Sequence, residues 1–120
     1  MQILTVEDAV RLARQKARRS EEPVLALQVA DLTLKLVEHP VRRGGRPIRL
    51  TARELMLLSV LMRTPGRVFT RTELCERVWG HKPQHDTKLV DVFIGRLRKK
   101  TGRPPLIHTV RHIGYTIRES

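Results

Sequence analysis

One cysteine, Cys75, stands in a chain of 120 residues. It cannot close an internal disulfide, so the disulfide-stapled secreted domains are set aside and a reducing, cytoplasmic setting is expected. Aromatic residues are equally scarce: one tryptophan, one tyrosine and two phenylalanines. That scarcity counts against modules that stack unpaired bases on aromatic platforms. No run of 18 apolar residues occurs, so no helical membrane span is expected. The opening MQILTVEDAV carries acid early and lacks the basic-then-apolar order of a signal peptide. Ser20, Ser59 and Ser120 lie in no nucleophile motif, and no glycine-rich phosphate loop appears. No enzyme, no catalytic residue and no cofactor is therefore expected.

Acid is also in short supply. Lys+Arg number 24 against 12 Asp+Glu, a net charge of +12 and a pI near 11.4. Such a balance calls for a polyanionic partner, nucleic acid before an anionic membrane surface. The charge is not spread evenly. Residues 1–24 are net +1, residues 25–120 net +11, and residues 87–103 alone net +5, with Asp91 their single acid. The 40% of hydrophobic residues suffices for the core of one domain, or of one domain with an arm.

The periodicity changes twice along the chain. Thr5-Val6-Glu7-Asp8 resembles a capping box and opens a weakly amphipathic helix over 6–19, which Pro23 ends. Residues 1–23 are read as a helical arm and linker, and residues 24–120 as the domain. From Val24 the apolar period is two. Leu25, Leu27 and Val29, then Leu32, Leu34 and Leu36, predict two strands; Val41–Arg43 and Arg46–Leu50 around Gly44-Gly45 predict a hairpin, with Pro47 on an edge strand. The period then turns helical. Leu50-Thr51-Ala52-Arg53-Glu54-Leu55 carries a capping box inside a hydrophobic staple, and Phe69-Thr70-Arg71-Thr72-Glu73-Leu74 repeats it. The first helix stops at Pro65-Gly66, before a short extended piece, Arg67–Phe69. The second runs to about Trp79. A third starts at Asp86 or Thr87 and ends near Thr101, ahead of Gly102 and Pro104-Pro105. Leu106–Val110 and Tyr115–Arg118 make a closing hairpin through Arg111-His112-Ile113-Gly114. The fold class expected is α+β: a winged helix-turn-helix with an N-terminal four-stranded antiparallel sheet, three helices and a C-terminal hairpin wing.

On a helical wheel Val90, Ile94 and Leu97 share one stripe and face the core. Lys88, Val92, Gly95, Arg96, Lys99 and Arg103 fall opposite. A helix fits the major groove of duplex DNA, where arginine bridges guanine O6 and N7 and an aliphatic side chain meets a thymine methyl. The A-form major groove of RNA does not admit one. Arg111, at the turn of the wing, suits the negative potential of the minor groove. Trp79 admits two roles, indole N–H donation to a phosphate or packing beneath the following loop. The remaining chemistry is sparse. Cys75 lies among core positions and reads as a buried, inert thiol. His81 and His85 are separated by Pro83, and His108 and His112 span a strand and a turn, so neither pair is expected to bind a metal.

The blocks Gly44–Glu54, Pro65–Arg71, Val78-Trp79-Gly80, Val90–Lys100 and Ile107–Tyr115 together resemble the OmpR/PhoB-type effector domain of bacterial two-component response regulators, over about Leu25 to Glu119. The resemblance implies a sequence-specific double-stranded DNA-binding regulator, with the third helix in the major groove and base-facing roles at Leu89, Val92 and Arg96. It implies phosphate contacts at Trp79, Lys88, Arg98 and Thr109, which Lys99 on the basic face joins, and minor-groove insertion of Arg111. It further implies contact of the Gly80–His85 loop with RNA polymerase and dimers on direct-repeat DNA. Three positions depart from the pattern: Leu89 is aliphatic where members often carry a hydrogen-bonding residue, Gly95 stands where members often carry a basic residue, and His112 stands where the wing often has glycine. The family's receiver domain has no counterpart in these residues; residues 1–22 are long enough for its last helix and a linker.

Overall fold

The computed structural model describes Val6 and residues 26–35, 40–80 and 87–120. The period-two segments form a four-stranded antiparallel meander of β1 (Ala26–Val29), β2 (Leu32–Lys35), β3 (Val41–Arg43) and β4 (Arg46–Pro47), paired in chain order. Leu27 lies opposite Leu34 and Val29 opposite Leu32, so the buried Val29, Leu32, Leu34 and Val41 line one side. Gly44 and Gly45 take φ of +58° and +81°. Two left-handed central residues define the tight turn whose twist matches that of its strands. Pro47 sits on the edge strand as expected. The strand expected to reach Leu50 is shorter: Ile48 N–H still donates to the Val41 carbonyl at 2.9 Å, and the chain then leaves the sheet to cap a helix.

That helix, α1 (Ala52–Arg63), starts on the expected capping box: Glu54 N–H donates to Thr51 Oγ1 at 3.3 Å, and Thr51 N–H to Glu54 Oε1 at 2.8 Å. Such a cap contributes about 1 kcal/mol. Leu57, Leu58 and Leu61 are wholly buried beneath it. The extended piece expected at Arg67–Phe69 lies later, as β5 (Phe69–Thr70). Arg67 N–H closes a turn onto the Thr64 carbonyl at 3.0 Å and is unavailable to a ladder. Thr70 and Glu73 repeat the capping box for α2 (Arg71–Trp79), which Gly80 ends in the left-handed region. The third helix, α3 (Lys88–Thr101), follows Thr87 as expected. β6 (Ile107–Val110) and β7 (Gly114–Ile117) close the chain. β7 lies centrally, between β6 and β5. The first expected helix, the linker to residue 23 and the loop over 81–86 lie outside the described residues. Val6 alone is described there, helical and packed against the core. Among the described residues no helix is long and apolar enough to cross a membrane.

Two buried charges tie the layers together. Arg43 is only 8% exposed, and every arm of its guanidinium is used: Nε donates to Asp31 Oδ1 at 2.5 Å, Nη1 to the Thr101 carbonyl at 2.9 Å and Nη2 to the Pro104 carbonyl at 2.7 Å. It thereby pins the end of α3 to the first sheet. Glu54, 1% exposed, also accepts from Lys100 Nζ at 2.6 Å, so its capping carboxylate holds the same end of α3 to α1. Burial of either charge is tolerable only because it is paired and hydrogen-bonded.

Gly114 belongs to β7 rather than to the turn. It pairs with Thr70 on one side and Val110 on the other, and a Cβ there would stand 1.8 Å from the Phe69 carbonyl oxygen. Backbone cannot yield as a flexible side chain does. Gly114→Ala is expected to lower unfolding stability by about 3 kcal/mol, the upper end of ordinary overpacking. Gly45→Asn, whose Cβ would meet nothing within 4 Å, should cost far less. Chemical denaturation of both variants checks the contrast.

Candidate nucleic-acid interface

α3 divides as the wheel predicts. Val90, Ile94 and Leu97 are at most 1% exposed, and Lys88, Leu89, Val92, Gly95, Arg96 and Lys99 are exposed on its outer side. Leu89 and Val92 remain 51% and 48% exposed, large aliphatic side chains surrounded by cations. Arg111 and His112 stand exposed at the turn between β6 and β7, His112 at φ +67°. Beside them Ile113 is 52% exposed. Outer helix face and hairpin turn thus present a cationic surface with apolar points.

Ring contacts orient the middle of this face. The Arg96 guanidinium lies 5.1 Å from the Phe93 ring centre. Phe93 meets Trp79 edge to face, with centroids 5.1 Å apart and an interplanar angle of 84°. Trp79 has the Arg53 guanidinium 5.9 Å from its own centroid, and Arg53 also donates to the Val78 carbonyl. This relay runs from α1 through the end of α2 to α3. The packing role of Trp79 is therefore realised, though against Phe93; the loop that follows it is outside the described residues.

A second cluster fixes the start of α3. The Asp91 carboxylate accepts from Arg71 Nε at 2.7 Å and from the Tyr115 hydroxyl at 2.5 Å, uniting α3, α2 and β7. Burial alone would raise the Asp91 carboxyl, but the Tyr115 hydroxyl and the Arg71 guanidinium together hold it below the ordinary carboxylate range. Burial and the same carboxylate push the Tyr115 phenol upward. Arg98 lies beside the cluster. Its Nε donates to the Ile107 carbonyl at 3.1 Å and its Nη2 to Thr109 Oγ1 at 2.5 Å, so two residues expected at phosphates are joined to each other across α3 and β6.

Sequence reasoning did not single out Phe93, Arg53, Arg71, Tyr115 or Ile113 for these positions. The one available signal was Asp91, a lone acid in a basic stretch, which implies a structural partner. Cys75 is buried, as expected. His108 Nε2 lies 3.2 Å from the Arg118 carbonyl oxygen, and among the described residues no cluster of three or more metal-ligating side chains occurs.

A meander, three helices and a closing hairpin define a winged helix-turn-helix of the OmpR/PhoB type. The family described as "Transcriptional regulatory protein, C terminal" matches residues 45–117, and the chain belongs to it. It is 45% identical over 120 residues to the transcriptional regulatory protein TrcR of Mycobacterium tuberculosis, covering 95% of this chain and 47% of that one; it thus spans about half the length of that relative. Among solved structures, the DNA-binding domain of CpxR from E. coli is similar at a TM-score of 0.71 and 27% identity, covering 79% of this chain and 97% of that one. The Klebsiella pneumoniae RstA DNA-binding domain in complex with the RstA box gives 0.70 and 30%, covering 78% and 96%.

Asp91, Glu54 and Glu73 all have lowered carboxyl pKa values. A carboxylate whose folded pKa is depressed adds stability that is present above its unfolded pKa and lost as pH falls through the folded one. Stability should therefore decline below about pH 4, the unperturbed carboxylate range. Asp91→Asn should flatten part of that decline, leaving Glu54 and Glu73 to supply the rest. Thermal unfolding of both proteins between neutral and acid pH measures it.

Proposed function

We propose that residues 24–120 bind double-stranded DNA sequence-specifically, as the effector domain of a two-component response regulator in the bacterial cytoplasm. The observation that carries this reading is the exposed outer face of α3, cationic with two aliphatic residues, beside a wing that bears Arg111. α3 enters the major groove with Leu89, Val92 and Arg96 at base edges. Trp79, Lys88, Arg98, Lys99 and Thr109 meet phosphates, and Arg111 enters the minor groove. The pairing of Arg98 with Thr109 suits a shared phosphate, because one anion can accept from both. The RstA domain solved with its RstA box supports the reading by likeness.

Residues 1–23 serve in this proposal as a tether to a receiver domain, the loop from Gly80 to His85 as a contact for RNA polymerase, and direct-repeat DNA as the platform for a dimer. Selection of bound duplexes from a random pool tests DNA specificity and half-site spacing together. Equal affinity for scrambled duplexes at every salt concentration would reject specific binding.

Two substitutions separate the roles. Arg96→Ala should cost roughly 1–3 kcal/mol on the selected duplex and relax preference at one base pair. Lys99→Ala should weaken binding to all duplexes about equally and reduce the salt slope by about one. Fluorescence anisotropy titrations across salt, on selected and scrambled duplexes, distinguish the two.

A further inference from the structure

Among the described residues the exposed large hydrophobics are Leu89, Val92 and Ile113. All three lie on α3 or the wing turn. Leu89 and Val92 are not displaced core residues, because Val90, Ile94 and Leu97 already fill the core from the same helix. With Arg96 and Lys99 they follow spacings of three, four and three residues, which at about 100° per residue keep all four side chains within one narrow stripe. Leu89 and Val92 are separated by about 4.5 Å along the helix axis, close to the base-pair step of about 3.4 Å. Arg96 follows about 6 Å further on, with its guanidinium held over Phe93.

Only one methyl projects from the major-groove edges of the four bases, at C5 of thymine. An aliphatic side chain placed over guanine, adenine or cytosine covers donors and acceptors without pairing them, and that carries a desolvation penalty. Over thymine it buries a methyl. Resting on the DNA-binding reading above, we propose that the first half of α3 is a thymine-methyl subsite: Leu89 and Val92 read the methyls of thymines on neighbouring base pairs, and Arg96 takes a guanine beyond them. The operator then carries adjacent thymines beside a guanine.

Replacement of single thymidines by deoxyuridine tests this directly, since it removes the methyl and leaves every hydrogen bond. The probe is a duplex recovered by selection from the random pool. At two neighbouring positions each replacement should weaken binding by the wild-type domain about fourfold, the worth of one buried methyl. Leu89→Ala should abolish the sensitivity at one of these positions and Val92→Ala at the other. Both variants should keep the wild-type circular dichroism, because neither side chain lies in the core. A wild-type domain that binds selected duplexes but ignores every deoxyuridine overturns this assignment alone, and so does sensitivity that persists unchanged in both variants. A domain that binds no duplex overturns the DNA-binding reading and this assignment with it.

Discussion

Three elements meet on one carboxylate. Asp91 accepts from Arg71 at the start of α2 and from Tyr115 on β7, and it does so from the first turn of the most cationic of the described helices. The constraint behind this arrangement is electrostatic. A helix that carries lysine and arginine on its outer face, and Arg98 beside the wing, also packs close to Arg71, and like charges at such distances repel. One acid on the flank converts that repulsion into attachment. The orientation of α3 against α2 and the wing follows from it.

The far end of α3 is secured by different means. Arg43 reaches from the first sheet to the Thr101 carbonyl, an orphan acceptor that the end of a helix leaves open, and to the Pro104 carbonyl just beyond it. Lys100 reaches to the buried Glu54 at the start of α1. The meander is thus more than an appendage in front of the helices, because its buried arginine closes the helix that bears the exposed face. Between the two ends, the contacts of Arg53, Trp79, Phe93 and Arg96 carry position from α1 to the centre of that face.

Much of this order was legible in the residues themselves. Both capping boxes, the glycine hairpin, the edge position of Pro47 and the buried stripe of α3 follow from local periodicity and backbone chemistry, and the structure has each of them. Strand limits shifted by one to three residues, most at β4, where the chain leaves the sheet to cap α1. β5 moved to Phe69–Thr70 because β7 sets its register, a relation between residues some 45 positions apart. The partners of Asp91 and Arg43, and the reach of Lys100 to Glu54, were not legible for the same reason: side-chain pairs across elements leave no period in the sequence. The exposed face of α3 was readable because it is confined to one helix, whereas the rings that orient Arg96 belong to two.

The close approach at Gly114 has a mechanical corollary. β7 is bound on one side to β6, with which it forms the wing, and on the other to β5, which runs directly into α2. With no side chain between the strands, and with Tyr115 fastened to α3, the wing and the helix pair behave as the two jaws of a fixed caliper. Their separation is set by backbone, not by an adjustable contact. On the proposed interface, any mismatch between that separation and the spacing of the two grooves is taken up by the duplex. Stiff and pliable operators of identical contact sequence would then differ in affinity.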